Sequence, residues 1–253
     1  MDVVVRKEKY VLQKQRKHVA LRVDGASACV TLNRPEKANA YNSKMLDEME
    51  STIEMVLKDE AIKVLLFASS SKNFCAGADL NDITHRTSGD ILNLKSRRIF
   101  EALHNAPIVT IAAVNGSAVA GGFELALACD FIFASENAQF WLPEVELGLI
   151  PAAGGISRIV QQVGPRLAKE IIICGRKLDA YEGYKYGLVT KVVRKKELRR
   201  ETFELAKVIS GLPSSAVKIA KISINEALSD KRSSLDLFGQ VYLNELRANQ
   251  KIS

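Results

Sequence analysis

The chain has 253 residues, of which 47% are hydrophobic and 26% charged, and its formal net charge is +7. This composition excludes intrinsic disorder as the main state and predicts one large globular domain or two small ones. The longest apolar run, 108–120, is interrupted by Asn115, Gly116 and Ser117, so no membrane span is expected. The N-terminus mixes charges too closely for a secretory signal, and a cytoplasmic location is expected.

The positive charge favours an anionic partner: nucleic acid, an acidic membrane surface or a phosphorylated small molecule. Part of it lies in residues 1–17, which we interpret as a basic N-terminal extension. Nucleic-acid binding by this arm is the non-enzymatic alternative. A solvated arm is favoured, because Tyr10 is its one aromatic side chain on which a base could stack.

Cysteine and histidine spacing disfavours several chemistries. The four cysteines are far apart and form no CxxC pair, so they predict small buried residues rather than metal ligands or disulfides: Cys29, Cys75, Cys129 and Cys174. Neither GxSxG nor HExxH occurs, and no histidine lies near a candidate nucleophile. A Ser-His-Asp hydrolase is therefore disfavoured, and no metal site is expected.

Apolar spacing predicts strands and helices that alternate along the chain. Alternating residues predict two strands within 19–32, around a turn at Asp24-Gly25. Short apolar runs predict buried strands at 62–68, 108–114 and 131–134. Spacings of three and four residues predict helices at 43–58, 90–103, 122–129, 198–210, 214–228 and 235–248. We therefore expect an α/β core over 18–194, followed by helices alone over 195–253.

A glycine-rich stretch, 115–122, follows a predicted buried strand and opens a helix. Its backbone N–H groups could face an anion, although a tight turn without a ligand fits the spacing equally well. Glu124 follows in the first helical turn, where an acidic residue can also serve only to complement the helix dipole. The small residues of 74–80 either present backbone donors to a ligand or form a packing turn.

Glu144 lies in an apolar loop, 140–151, directly after Pro143. If its side chain points inward, burial raises its pKa and suits it to general acid–base catalysis. Glu146, two residues further on, could equally be a solvated carboxylate.

Four segments together resemble the crotonase family, the enoyl-CoA hydratases and isomerases: 31–40, 74–80, 113–126 and 143–155. The resemblance extends over about 19–193. It implies a spiral of ββα units followed by a helical trimerisation region, and hence a homo-oligomer, either a trimer or a dimer of trimers. It also implies an acyl-CoA thioester as substrate, with no separate cofactor.

By this resemblance, the thioester carbonyl lies in an oxyanion hole formed by the backbone N–H groups of Ala78 and Gly121. Family hydratases place two glutamates beside one water, and this sequence has both, Glu124 and Glu144. Hydration of a 2-enoyl-CoA is therefore the leading interpretation, with Glu124 activating water and Glu144 protonating the α-carbon. Related isomerases commonly keep a single acid, and Δ3,Δ2-enoyl-CoA isomerisation is the enzymatic alternative. Some relatives also bind RNA.

The resemblance assigns further positions to substrate binding: Lys37, Ala38, Ala40, Ala76, Asp79, Leu80 and Gly122. Among these, Lys37 could instead be an ordinary surface lysine. Trp141 departs from the smaller or polar residues that are usual before the Pro-Glu pair, and it either walls the acyl pocket or packs outward. A family segment that helps to cover CoA is missing after Ser253, which predicts looser CoA binding or a substitute element.

Overall fold

The computed structural model describes residues 11–83 and 93–227. Its strands are β1 (Val11–Gln15), β2 (Val19–Asp24), β3 (Ser27–Leu32), β4 (Val64–Ser69), β5 (Val109–Val114), β6 (Ser117–Val119), β7 (Phe131–Ser135), β8 (Gln139–Trp141), β9 (Leu178–Asp179) and β10 (Lys191–Val193). Its α-helices are α1 (Ser43–Lys58), α2 (Leu80–Ile83), α3 (Lys95–His104), α4 (Gly121–Leu127), α5 (Gly155–Ile172), α6 (Ala180–Lys185), α7 (Leu198–Ser210) and α8 (Ser214–Ala227). Short 3-10 helices lie at Pro35–Lys37, Glu144–Leu147 and Lys195–Glu197.

Seven strands form the main sheet, in the order β1-β2-β3-β4-β5-β7-β10. The pairs β1–β2 and β2–β3 are antiparallel, whereas the remaining neighbours are parallel. A smaller sheet joins β6, β8 and β9. The predicted α/β class is confirmed, as is the predicted hairpin, in which Asp24 pairs with Ser27 and Gly25 has a φ of +59°.

Helices cover both faces of the main sheet. Every residue of β5 is buried, which explains why all but Thr110 are apolar, because a parallel strand at the centre of a sheet meets helices on both sides. On one face α1 contributes Met45, Met49 and Ile53 to the larger core. On the other face α7 contributes Ala206 and Ile209 to a second core.

Several predicted boundaries need correction. The strand predicted at 62–68 begins at Val64, because the Ile62 N–H bonds to the Asp59 carbonyl in a turn after α1. The helices predicted at 90–103 and 122–129 are observed as α3 and α4. The helix predicted at 198–210 is confirmed by α7, and the one predicted at 214–228 is α8 as far as Ala227. The helix predicted at 235–248 lies outside the described residues.

Strand β1 falls within residues 1–17, which the sequence analysis assigned to a basic extension, and it pairs along its whole length with β2. The sheet therefore reaches into that range, whereas residues 1–10 lie outside the described part. Helix α5, the longest described helix, was not predicted; its apolar pattern is interrupted at Gly164 and Pro165, where the helix kinks. None of the described helices is both long and apolar enough to cross a membrane.

Candidate active site

A cavity of about 510 Å³ lies where the loop after β4, the start of α4 and the segment after β8 meet. Both glutamates singled out in the sequence line it, together with Ala78 and Gly121. Apolar side chains supply much of the remaining wall: Leu80, Leu94, Pro143, Leu147, Leu149 and Ile150. The cavity can thus receive an apolar chain beside two carboxyl groups.

Glu124 is held rigidly in the wall of this cavity. Its residue exposure is 3%, and its Oε1 accepts hydrogen bonds of 2.8 Å from the backbone N–H groups of Ala153 and Gly155. Burial raises its pKa, and the two N–H groups and the nearby charge of Arg158 oppose that rise. Because the bonded amides belong to the start of α5, the carboxylate does more than complement the dipole of its own helix.

Glu144 meets a different environment at the start of the 3-10 helix Glu144–Leu147. Its side chain is buried, and its Oε2 has no hydrogen-bond partner among the described residues. Burial raises the pKa of Glu144 to about 7, with a further contribution from repulsion by Glu124. Near neutral pH this carboxyl can therefore give up or take a proton. Glu146, in the same 3-10 helix, is exposed.

Ala78 and Gly121 both line this cavity. Their backbone N–H groups donate no hydrogen bond to any described residue. The two segments pack closely: a Cβ on Gly77 would lie 3.0 Å from the Gly121 nitrogen, and one on Gly122 only 2.0 Å from the Cys75 carbonyl oxygen. Gly77 also has a φ of +90°. Glycine is thus required at Gly77 and Gly122 for this close approach. The approach brings the two unbonded N–H groups to one wall of the cavity.

The other predicted substrate-binding positions are distributed around this wall. Ala76 and Leu80 line the cavity, and Gly122 is buried behind it. The loop with Ala38 and Ala40 is attached to the cavity wall by a 3.1 Å hydrogen bond from the Ala76 N–H to the Ala38 carbonyl. Lys37 is exposed at the end of the neighbouring 3-10 helix.

Asp79 has a structural partner. Its Oδ2 accepts a 2.7 Å hydrogen bond from Arg34 Nη1, and the same nitrogen donates to the Ala40 carbonyl. This ion pair lowers the pKa of Asp79. The carboxylate therefore ties the two loops together and does not point a free charge at the cavity.

Trp141 does not line the cavity. Lys177 Nζ lies 3.9 Å from the centroid of its indole ring, and its Nε1 is buried with no partner among the described residues. Of the two placements considered for this side chain, the wall of the acyl pocket is therefore not the one observed.

Asn39 and Arg158 are site-supporting residues that the sequence analysis did not assign. Asn39 is fully buried with a φ of +58°, and its side-chain amide bonds to the Phe74 carbonyl at 3.0 Å. Two features of the sequence could have identified Asn39 as a supporting residue. It lies in the 31–40 motif, and Asn tolerates a positive φ better than most residues do. Nothing comparable in the sequence identifies Arg158, because a single arginine is common in an amphipathic helix. No group of three or more potential metal ligands occurs among residues 11–83 and 93–227.

Comparisons with known proteins identify the family of this chain. The family described as "Enoyl-CoA hydratase/isomerase" matches residues 23–249. A short-chain-enoyl-CoA hydratase of Clostridium acetobutylicum is 39% identical over 215 residues, covering 83% of this chain and 82% of that protein.

Solved structures share the fold. The enoyl-CoA hydratase of Bacillus anthracis is 31% identical, with a TM-score of 0.83 over 92% of this chain and 96% of that one. Subunit I of an enoyl-CoA hydratase from Geobacillus kaustophilus is 32% identical, with a TM-score of 0.85 over 91% and 90% of the two chains. The crotonase-like fold predicted from the motifs is thereby confirmed. The chain belongs to the enoyl-CoA hydratase/isomerase family.

Proposed function

We propose that the chain is a hydro-lyase that adds water across the 2,3 double bond of a 2-enoyl-CoA thioester. The observation that carries this proposal is the pair of glutamates in one cavity, one carboxylate fixed by two backbone amides and the other with a pKa of about 7. The hydratases among the relatives support the same reaction class.

In the proposed reaction, the ionised Glu124 orients a water and accepts its proton as the water oxygen bonds to C3. Glu144, protonated, delivers a proton to the α-carbon. The electron pair of the double bond forms the new bond to that proton by way of an enolate on the thioester oxygen. Proton exchange between the two carboxyl groups or with solvent then restores the starting state.

The backbone N–H groups of Ala78 and Gly121 are proposed to stabilise the enolate oxygen. Neither has another acceptor among the described residues, so both can donate to the substrate without first breaking a bond. Fixed donors of this kind each lower the barrier by about 2.7–4 kcal/mol. The reaction so described needs no metal or separate cofactor, and CoA is proposed to lie along the loop with Lys37, Ala38 and Ala40.

The test is hydration of crotonyl-CoA by the native chain and by Glu144→Gln, Glu124→Gln and Glu146→Gln. Each of the first two substitutions is expected to lower turnover about 100- to 10,000-fold, because each removes one proton-transfer group. Glu146→Gln is the matched control, since Glu146 is an exposed carboxylate of the same 3-10 helix. Near-native turnover in Glu124→Gln or Glu144→Gln would refute this mechanism.

The isomerase alternative rests on a specific observation as well: among the described residues, only Glu144 combines an unpartnered oxygen with a pKa of about 7, and one such group could move a proton between C2 and C4. It predicts isomerisation of a 3-enoyl-CoA that survives Glu124→Gln, with negligible hydration by the native chain.

A further inference from the structure

Arg158 is a buried cation directly behind the site, in the first turn of α5. Its residue exposure is 7%, and no carboxylate among the described residues lies within salt-bridge distance of it. Burying a charge without an ion-pair partner is costly. Other contacts of the guanidinium must therefore compensate the free energy that its burial costs.

Those contacts are with backbone carbonyls. Nη1 donates to the Ala153 carbonyl at 3.0 Å, and Nη2 donates to the Phe100 carbonyl of α3 at 3.3 Å. Gly154, between Ala153 and α5, has a φ of +98°, and a Cβ there would lie 2.3 Å from Nη1. The guanidinium thus lies directly against the 153–155 turn and links it to α3.

The same turn holds Glu124. Ala153 accepts from Arg158 through its carbonyl and donates to Glu124 Oε1 through its N–H, while Gly155 supplies the second N–H. One residue therefore links the buried cation to the proposed base. The positive charge also lies close enough to favour the ionised form of that carboxylate.

We propose that Arg158 is a positioning residue that holds the 153–155 turn, and through it the Glu124 carboxylate, in place, and whose charge favours the ionised form of that carboxylate. This proposal rests on the role given to Glu124 in the proposed function. It assigns to Arg158 an effect on protonation, which a purely structural residue would not have.

Other charged groups act on this pair and define the background of the test. Glu144 faces Glu124 across the cavity and disfavours two simultaneous negative charges. Glu101 and Arg97 of α3 act on Arg158 with opposite signs. On its far side Arg158 lines a second cavity, of about 460 Å³, with His104, Asp130 and Lys221. The charge of Arg158 also lowers the pKa of His104, so its substitution changes that background, which the Glu124→Gln control below separates from the effect on Glu124.

The experiment compares Arg158→Gln, which removes the charge but keeps an amide donor, with Arg158→Lys, which keeps the charge. Arg166→Gln, at an exposed position of α5, is the matched control. Loss of the cation raises the pKa of Glu124, so less of it is ionised in acid. We expect kcat/KM at about pH 6, relative to that at about pH 8, to fall about tenfold in Arg158→Gln and to stay near native in the other two.

Two further measurements make the outcome decisive. In a Glu124→Gln background, Arg158→Gln should leave the pH profile unchanged. Titration of the glutamate carboxyl groups by carbon-13 NMR gives a readout that needs no turnover: the pKa of Glu124 should rise in Arg158→Gln. A chain that lacks hydratase activity but shows this rise would refute the proposed function alone. An unchanged acid limb and carboxyl titration in Arg158→Gln, or equal shifts in Arg158→Lys, would overturn the role of Arg158.

Discussion

Glu124 and Glu144 share one cavity but differ in what stabilises their charge. Burial raises the pKa of Glu124, but two N–H donors and a buried arginine oppose that rise and favour its ionised form. Burial also raises the pKa of Glu144, which has a buried oxygen with no partner among the described residues and whose charge Glu124 repels. The contacts of Glu124 thus favour its charged form more than those of Glu144 do, and this is the difference that the proposed hydration requires.

This difference predicts a bell-shaped dependence of kcat/KM on pH. Activity should fall above about pH 7, because the proton that Glu144 must deliver is lost there. It should fall in acid as Glu124 takes up a proton, and both limbs belong to the coupled pair. Initial rates on crotonyl-CoA over a buffered pH series measure the profile. A rate that keeps rising well above pH 7 would contradict the assignment of Glu144 as the acid.

Stability should also depend on Glu144. Folding raises the pKa of Glu144 from 4.5 to about 7, so the folded state holds this proton more tightly than the unfolded state does. The resulting stabilisation is complete below about pH 4.5 and is lost as the pH rises through about 7. Each pKa unit corresponds to about 1.36 kcal/mol, so Glu144→Gln should be about 3 kcal/mol more stable than the native chain above about pH 8.

Urea unfolding at about pH 5 and about pH 8.5 measures this effect. The two proteins should differ little at the lower pH, and exposed Glu146→Gln should match the native chain at both. A native chain as stable as Glu144→Gln at the higher pH would mean that Glu144 ionises freely.

At the scale of elements, the site depends on close contact between the loop after β4 and the first turn of α4. Gly122 permits this contact, since a Cβ there would lie 2.0 Å from the Cys75 carbonyl oxygen. That carbonyl also accepts the Val119 N–H at 2.9 Å, so it has little freedom to move. The loop that carries the Ala78 amide is therefore placed by backbone packing.

Gly122→Ala should push this loop away from α4. Overpacking of this kind costs about 1–3 kcal/mol, and a displacement of about 1 Å at a reacting group can lower turnover about 100-fold. Gly211→Ala is the control, because the nearest atom to its new Cβ would be 3.4 Å away. Turnover and urea unfolding of both variants test this, and native turnover in Gly122→Ala would show that the contact does not position the loop.

The sequence predicted these elements unevenly, for physical reasons. Mostly apolar strands such as β5 and regular helices such as α1 and α7 are recognisable because burial repeats along them. The three-residue strands β6 and β8 are too short to show a period, and the kink at Gly164 hides α5. The four motifs located both glutamates, but their proton states depend on the 153–155 turn and Arg158, which are brought near only by the fold.

At the scale of the whole molecule, a buried ion pair joins the C-terminal helices to the main sheet. Lys221 Nζ of α8 lies 2.8 Å from Asp130 Oδ2 and 2.9 Å from the Ile108 carbonyl oxygen. Asp130 also accepts from the Thr110 N–H and hydroxyl. The predicted trimerisation through 195–253 stays a prediction, but the attachment of α8 to the core has this definite anchor.

Removing one partner of this pair leaves an uncompensated buried charge, so Lys221→Met should lower the free energy of unfolding by about 3–5 kcal/mol. Lys218→Met, at an exposed position of the same helix, should change it little. Urea unfolding of the two variants gives the comparison. A similar, small effect of both substitutions would show that α8 is held by apolar packing alone.

The most direct test of the proposed reaction is identification of the product formed from crotonyl-CoA in oxygen-18 water. The account predicts that the native chain gives a 3-hydroxyacyl-CoA whose mass has increased by one labelled water, with the label on C3. It also predicts that Glu124→Gln and Glu144→Gln form this product far more slowly. Recovery of only unlabelled substrate or its double-bond isomer from the native chain would contradict the account.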